Sequence, residues 1–184
     1  MSKLKLLIKK SEKILQDGCI PKKTAIDLEE DCVKQISTIN KNLEKCIEMF
    51  NSLVFEISNT VKSECPKNPV ISVYSSYMNN VIKKEPIEPI SKFIVSVYSN
   101  DEYRQYIIQE NEKFFMTNND IVSSGDAEKL LHIRYCWKKL SSESKKYIKE
   151  ALKMMVNISG EYLIQKDNGN TIMSIICELK TKVN

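Results

Sequence analysis

Glycine and proline are scarce, four and five among 184 residues. That scarcity argues against Gly-rich phosphate loops and against β-sandwiches with their many tight turns, and it favours long helices. Histidine and tryptophan occur once each, and among 28 basic residues only Arg104 and Arg134 are arginine. A single histidine, His132, cannot build a relay or a zinc site, and between Leu131 and Ile133 it reads as structural. With lysine in place of arginine, the chain lacks the planar fork that grips guanine or phosphate bidentately, so sequence-specific DNA reading is disfavoured. No G-x-x-x-x-G-K, G-x-G-x-x-G, H-E-x-x-H or G-x-S-x-G pattern occurs. The expectation is therefore a protein without catalytic residues, cofactor or metal. The apolar run at residues 4–8 is too short for a secretory signal or a membrane span, which reads as a cytoplasmic rather than a secreted chain.

Six cysteines are present, at positions 19, 32, 46, 65, 136 and 177, and none forms a C-x-x-C pair. They read as reduced thiols of a core or an interface in a reducing compartment. Net charge is +4 and apolar content 42%. The balance suits a globular chain and names no partner.

The clearest positive feature is a heptad. Ile26, Val33, Asn40, Ile47, Val54 and Val61 recur every seven residues, and Ile36, Leu43, Phe50 and Ile57 follow three places on. Such spacing predicts a rod of about 60 Å at 1.5 Å per residue, seated against another helix. A third row, Cys32, Ile39, Cys46 and Leu53, lies beside the first series, while Glu30, Ser37, Glu44, Asn51 and Ser58 leave the opposite flank polar. Three rows belong to a bundle or trimer rather than a two-stranded zipper, so contact with two neighbours is expected. Thr24 and Asp27 approximate a capping box for this helix. Asn40 has two readings, a register-fixing residue within the seam or an ordinary polar residue near solvent.

Around the rod the chain reads as shorter helices. Ser2 to Gly18 carries lysines at 3, 5, 9, 10 and 13. It could lie on an anionic membrane, but without large aromatics it reads as docked on the body. Asn68-Pro69 is a cap and a first-turn proline opening the next helix. Further helices begin near Pro89 and Asn100-Asp101, the latter closed by Phe114-Phe115-Met116. After a polar loop from Asn118 to Gly125, Asp126 caps a helix reaching Trp137, and Ser141 opens one running to Tyr162. Asp167-Asn168-Gly169-Asn170 reads as a turn, and the tail from Ile172 to Val183 as helix, although Ile175-Ile176 also suits a strand.

Between Arg134 and Lys153 stand seven basic and two acidic residues. Lys145, Lys149 and Lys153 form a stripe at helical spacing, with Lys138 on the preceding helix. Such a stripe could contact phosphates in a salt-sensitive, sequence-blind way, or be a solvated face.

From Pro89 to Leu163 the run Phe93, Val97-Tyr98, Asn100-Asp101, Tyr103-Arg104, Ile107, Phe114-Phe115, Trp137-Lys138, Leu140-Ser141 and Tyr147-Ile148 resembles uncharacterised small helical proteins of nucleocytoplasmic large DNA viruses. The resemblance covers under half the chain and leaves out the rod. It implies a setting in the virion or the infected-cell cytoplasm, as a structural or accessory viral protein, with Tyr98, Tyr103, Arg104 and Trp137 as packing anchors.

The expected architecture is all-α, with a basic helix and a long heptad helix in residues 1–65 and a compact bundle of short helices in 66–184. The expected function is that of a non-enzymatic interaction protein, self-associating or docking on a protein partner through Ile36, Asn40, Leu43, Ile47, Phe50, Val54 and Ile57. The alternative is weak nucleic-acid binding by Lys138, Lys145, Lys149 and Lys153. Membrane association is not expected.

Overall fold

The computed structural model describes residues 3–16, 20–117 and 135–182. Among them the architecture is all-α with no strand. Helix α1 spans Lys3–Gln16 and α2 Lys22–Glu64, the latter 43 residues without a break. The long helix starts two residues before Thr24, so the expected capping box is not its beginning. Pro21 marks the start instead, its carbonyl accepting from the Ala25 N–H at 3.0 Å, as suits a residue with no N–H of its own to satisfy.

Helix α3, Pro69–Lys84, opens as its sequence predicts. Pro69 is the first helical residue and the Asn68 Oδ1 accepts the Val70 N–H at 3.1 Å. Helix α4, Glu88–Phe93, runs into a wide π turn at Ile94–Tyr98, closed by the Ser99 N–H on the Ile94 carbonyl at 2.9 Å. Asn100 then caps α5, Asp101–Ile108, through the N–H groups of Glu102 and Tyr103.

Helix α5 does not reach Phe114, as the sequence suggested. It ends at Ile108 with Gln109 as its C-cap, Glu110 turns left-handed at φ 55°, and Asn111 caps a separate α6, Glu112–Thr117. The Asn111 Oδ1 takes the Phe114 N–H, and an asparagine at that spot favours a restart over continuation. The expected loop and helix start at 118–134, His132 included, lie outside the described residues. Residues 135–139 are helical.

The last helix, α7, spans Ser142–Lys182 in 41 residues. Here the expected turn at Asp167–Asn170 is overturned. Asn168, Gly169 and Asn170 are weak helix formers, costing on the order of 0.5–1 kcal/mol each. Four apolar residues beyond them, Ile172, Ile175, Ile176 and Leu179, are buried in the helical register, and their burial exceeds that cost at roughly 1.5–3 kcal/mol apiece. The same packing rules out the strand reading of Ile175-Ile176.

The chain forms two compact units. One unit comprises residues 1–45 and 162–184, the other 46–161. The terminal unit is composite because the end of α7 packs with α1 and the first half of α2. Its core joins Leu7, Leu15, Leu28, Cys32, Ile39, Ile172 and Leu179. The Lys182 ammonium closes the end of α1 by donating to the Leu15 carbonyl at 2.7 Å. In the central unit Val97, Ile107, Phe114, Trp137, Leu140, Ile148 and Val156 form the main core.

Candidate interaction surface on the long helix

Helix α2 has an inner and an outer apolar row. The buried residues are Ala25, Leu28, Cys32, Ile39, Cys46, Phe50 and Leu53, with Ile36 and Leu43 packed on the terminal core and Ile57 on the central one. The row expected as a flank, Cys32 to Leu53, therefore combines with the second series to make the inward seam. The first heptad series is displaced outward. Ile26 is 48% exposed and Val33 55%. Asn40 faces solvent, and Ile47 and Val54 are half-buried.

Four of the seven expected contact residues pack within the chain. Phe50, 1% exposed, meets Phe93 edge-on with ring centroids 5.3 Å apart, so it belongs to the chain's own core. Ile36, Leu43 and Ile57 are likewise engaged internally. Of the seven expected residues only Asn40 is fully exposed, so the seam-asparagine reading gives way to the solvent one within this chain. The signal for the true register was in the sequence. Ala25 stands seven before Cys32 and Leu28 four before it, both extending the inner row, whereas the first series is interrupted by a polar Asn40.

Asn51, expected on the polar flank, is buried and donates to the Pro86 carbonyl at 2.8 Å. Its Oδ1 has no hydrogen-bond partner among the described residues.

The C-terminal end of α2 carries two carboxylates that reach α7. Glu64 accepts from the Ser141 N–H at 2.6 Å, from the Ser141 hydroxyl at 2.7 Å, and from the Ser144 hydroxyl. These bonds, Ser144 first, hold its pKa below the ordinary carboxylate value. Ser141 also accepts the Ser144 N–H at 3.1 Å, which makes it the cap expected from the sequence. Glu56 accepts from Tyr147 and from Ser52, and both bonds lower its pKa; the same contact pushes the Tyr147 phenol up to about 12.

The lysine stripe is partly occupied. Lys153 pairs with Glu110, whose pKa is lowered by that bond and further by the charges of Lys149 and Lys146. Lys145 and Lys149 are half-buried, and Lys138 is exposed on the 135–139 turn. One negative charge thus sits at one end of the stripe. The expected anchors pack internally: Trp137 is buried in the central core, Tyr103 lies 5.3 Å from the Phe114 ring, and the Arg104 guanidinium lies 4.8 Å from the Tyr98 ring centre.

A node missed in the sequence joins Cys65, Asn68 and Cys136. Cys65 and Cys136 are both buried in one small cluster with Ile71, and the Asn68 amide donates to the Cys136 sulfur at 3.4 Å. Burial, and then the neighbouring Cys65, push the Cys136 thiol up. Nothing in the linear spacing of two cysteines 71 apart could have announced this.

No group of three or more metal-ligating side chains occurs among the described residues. No helix of the described residues is long and apolar enough to cross a membrane. Compared with known protein families, curated proteins and solved structures, the chain matches none.

Proposed function

We propose that this chain is a non-enzymatic structural or interaction protein that assembles through α2, its outer row pairing with the same row of a second copy. The observation that carries this reading is the exposure of Ile26 and Val33, one heptad apart, on a helix whose inner rows are already covered. An apolar row on an uninterrupted helix suits another helix. Exposed charge along this stretch of α2 is mixed, with Lys22, Lys23, Lys34, Lys41 and Lys45 among Asp27, Glu30, Asp31, Glu44 and Glu48, so charge selects neither sense of pairing. Asn40, exposed in the same row, ends its exposed apolar stretch.

Two apolar side chains per copy, at roughly 1.5–3 kcal/mol each, set against an association cost of several kcal/mol, give a weak dimer that depends on concentration. Sedimentation velocity over a wide concentration range tests it. The wild type should shift from monomer to dimer, and Val33→Glu should remain monomeric with an unchanged melting temperature. A wild type that stays monomeric throughout would end this reading.

The virus resemblance of residues 89–163 suggests where such assembly would serve, in a virion or the infected-cell cytoplasm. The alternative, sequence-independent nucleic-acid binding through Lys138, Lys145, Lys149 and Lys153, has less support because Glu110 already occupies Lys153. Binding of a DNA duplex with no salt slope, or unchanged by Lys145→Glu with Lys149→Glu, would remove it.

A further inference from the structure

The buried thiols at the end of α2 have no part in the assembly reading, and their setting is specific. Cys65 directly follows Glu64, the last residue of α2, and its N–H is held by the Val61 carbonyl at 2.9 Å. Its carbonyl in turn accepts the Asn68 N–H at 3.1 Å. Cys136 is held from the other side, its carbonyl accepting the Leu140 N–H at 3.0 Å. The two side chains share one small buried cluster, 6% and 2% exposed by residue, with Val61 and Ile71 packed around them. Both backbones are held by hydrogen bonds and both side chains belong to the same cluster, the setting in which a bond between them is proposed.

We propose that Cys65 and Cys136 form a site of reversible oxidation, which a low-molecular-weight disulfide of the oxidised-glutathione class converts to a disulfide locking the end of α2 to the segment that leads into α7. The Cys65 thiol loses its proton and its sulfur attacks one sulfur of glutathione disulfide. That S–S bond breaks, one glutathione leaves as thiolate and is protonated, and Cys65 carries a mixed disulfide. The Cys136 thiol then loses its proton and its sulfur attacks Cys65, expelling the second glutathione. The protein gives up two protons and two electrons, and the oxidant takes them as two thiols. Burial makes the first step slow, because an attacking thiolate must form and be reached. The site is therefore a slow lock rather than a fast sensor. Cys177 is exposed, and Cys32 and Cys46 lie apart from this cluster, so they serve as internal controls.

The experiment incubates the folded full chain with oxidised glutathione, blocks remaining thiols after denaturation, and maps peptides without reduction. The expected product is a Cys65–Cys136 link lacking two hydrogens, with no glutathione retained on either residue and full reversal by a dithiol reductant. Closing the long loop between them should raise the melting temperature by on the order of 10 °C. Cys136→Ser should accumulate the glutathione adduct at Cys65, and Cys177→Ser should leave the link unchanged. If Cys136→Ser does not fold, the wild-type map still decides. Free Cys65 and Cys136 beside a modified Cys177, a link to any other cysteine, or a lower melting temperature on oxidation would each overturn the proposal.

Discussion

The terminal and central units use different chemistry for the same task. Among the described residues the terminal cluster is built from Leu, Ile, Ala and Cys, and the one buried ring of that unit is Tyr162, at its edge in sequence. The central core is dominated by rings, with Phe93, Tyr98, Tyr103, Tyr106, Phe114, Trp137 and Tyr147 in or against it. The first relies on rows repeating along long helices, where each turn of burial adds to the last. The second must fix several short segments, and it does so with asparagine and serine caps and with the carboxylates Glu56, Glu64 and Glu110 bonded across elements. Short helices cannot hold themselves, since nucleation is costly and few turns share it. Polar bonds therefore concentrate where the chain changes direction most often.

The largest effects should come from the cores. Trp137→Ala should cost about 3–5 kcal/mol and Leu28→Ala about 2–5 kcal/mol, read by urea denaturation followed by circular dichroism. Similar losses would show that aliphatic rows and aromatic clusters are equally tight. A loss below about 1 kcal/mol at Leu28 would break the claim that the inner row of α2 is a true core.

Next in size is the cap joining α2 and α7. Ser141→Ala should lower stability by about 1 kcal/mol. Acid sharpens the contrast between the units. Glu56, Glu64 and Glu110 all have pKa values held below their ordinary ones in the folded state, and all lie in the central unit. Their stabilisation is complete above the ordinary carboxylate value and disappears as pH falls through the lowered folded values. Stability should therefore fall with acidity below the ordinary carboxylate range, and less so in Glu64→Gln. Trp137, the only tryptophan, reports the change by fluorescence from inside the affected unit. An identical pH profile in the variant would remove Glu64 from the explanation.

The smallest expected effects distinguish two glycines of one helix. A methyl group added at Gly169 would meet Ile39 at an ordinary 3.5 Å, whereas at Gly160 it would meet the Tyr98 hydroxyl at 2.9 Å. Gly169→Ala should stabilise by up to about 1 kcal/mol through helix propensity. Gly160→Ala should lose that gain or reverse it, because Tyr98 must shift beneath Arg104. Equal thermal shifts in the two variants would contradict the close approach of Tyr98 to α7.

Much of the helical architecture was legible because it rests on local signals. Asn68-Pro69, Asn100 and Ser141 each begin an element by satisfying nearby N–H groups, and such caps are visible in the sequence. The uninterrupted rod was legible from its period. Which of two adjacent apolar rows faces inward was harder, because rows at 32 and 33 both lie within helical reach of 36. The decision came from neighbours far along the chain, Ile172 to Leu179, which pack with the row at 32 and 39. The same distant packing carried α7 through Asp167–Asn170, where local propensity pointed to a turn. At the candidate surface the sequence leaves Asn40 with two readings and the exposed one holds in this chain, while Phe50 and Leu43, expected against a partner, pack within the chain itself. The Cys65–Cys136 contact depends on tertiary geometry alone.

The division of α2 into a covered and an offered row is tested most directly by two substitutions on that helix, each read for solution mass and melting temperature in the same samples. Val33→Glu should abolish concentration-dependent dimerisation and leave the melting temperature as it was; Leu28→Glu should destroy the fold. Loss of folding in Val33→Glu, or dimerisation that survives it intact, would contradict the account.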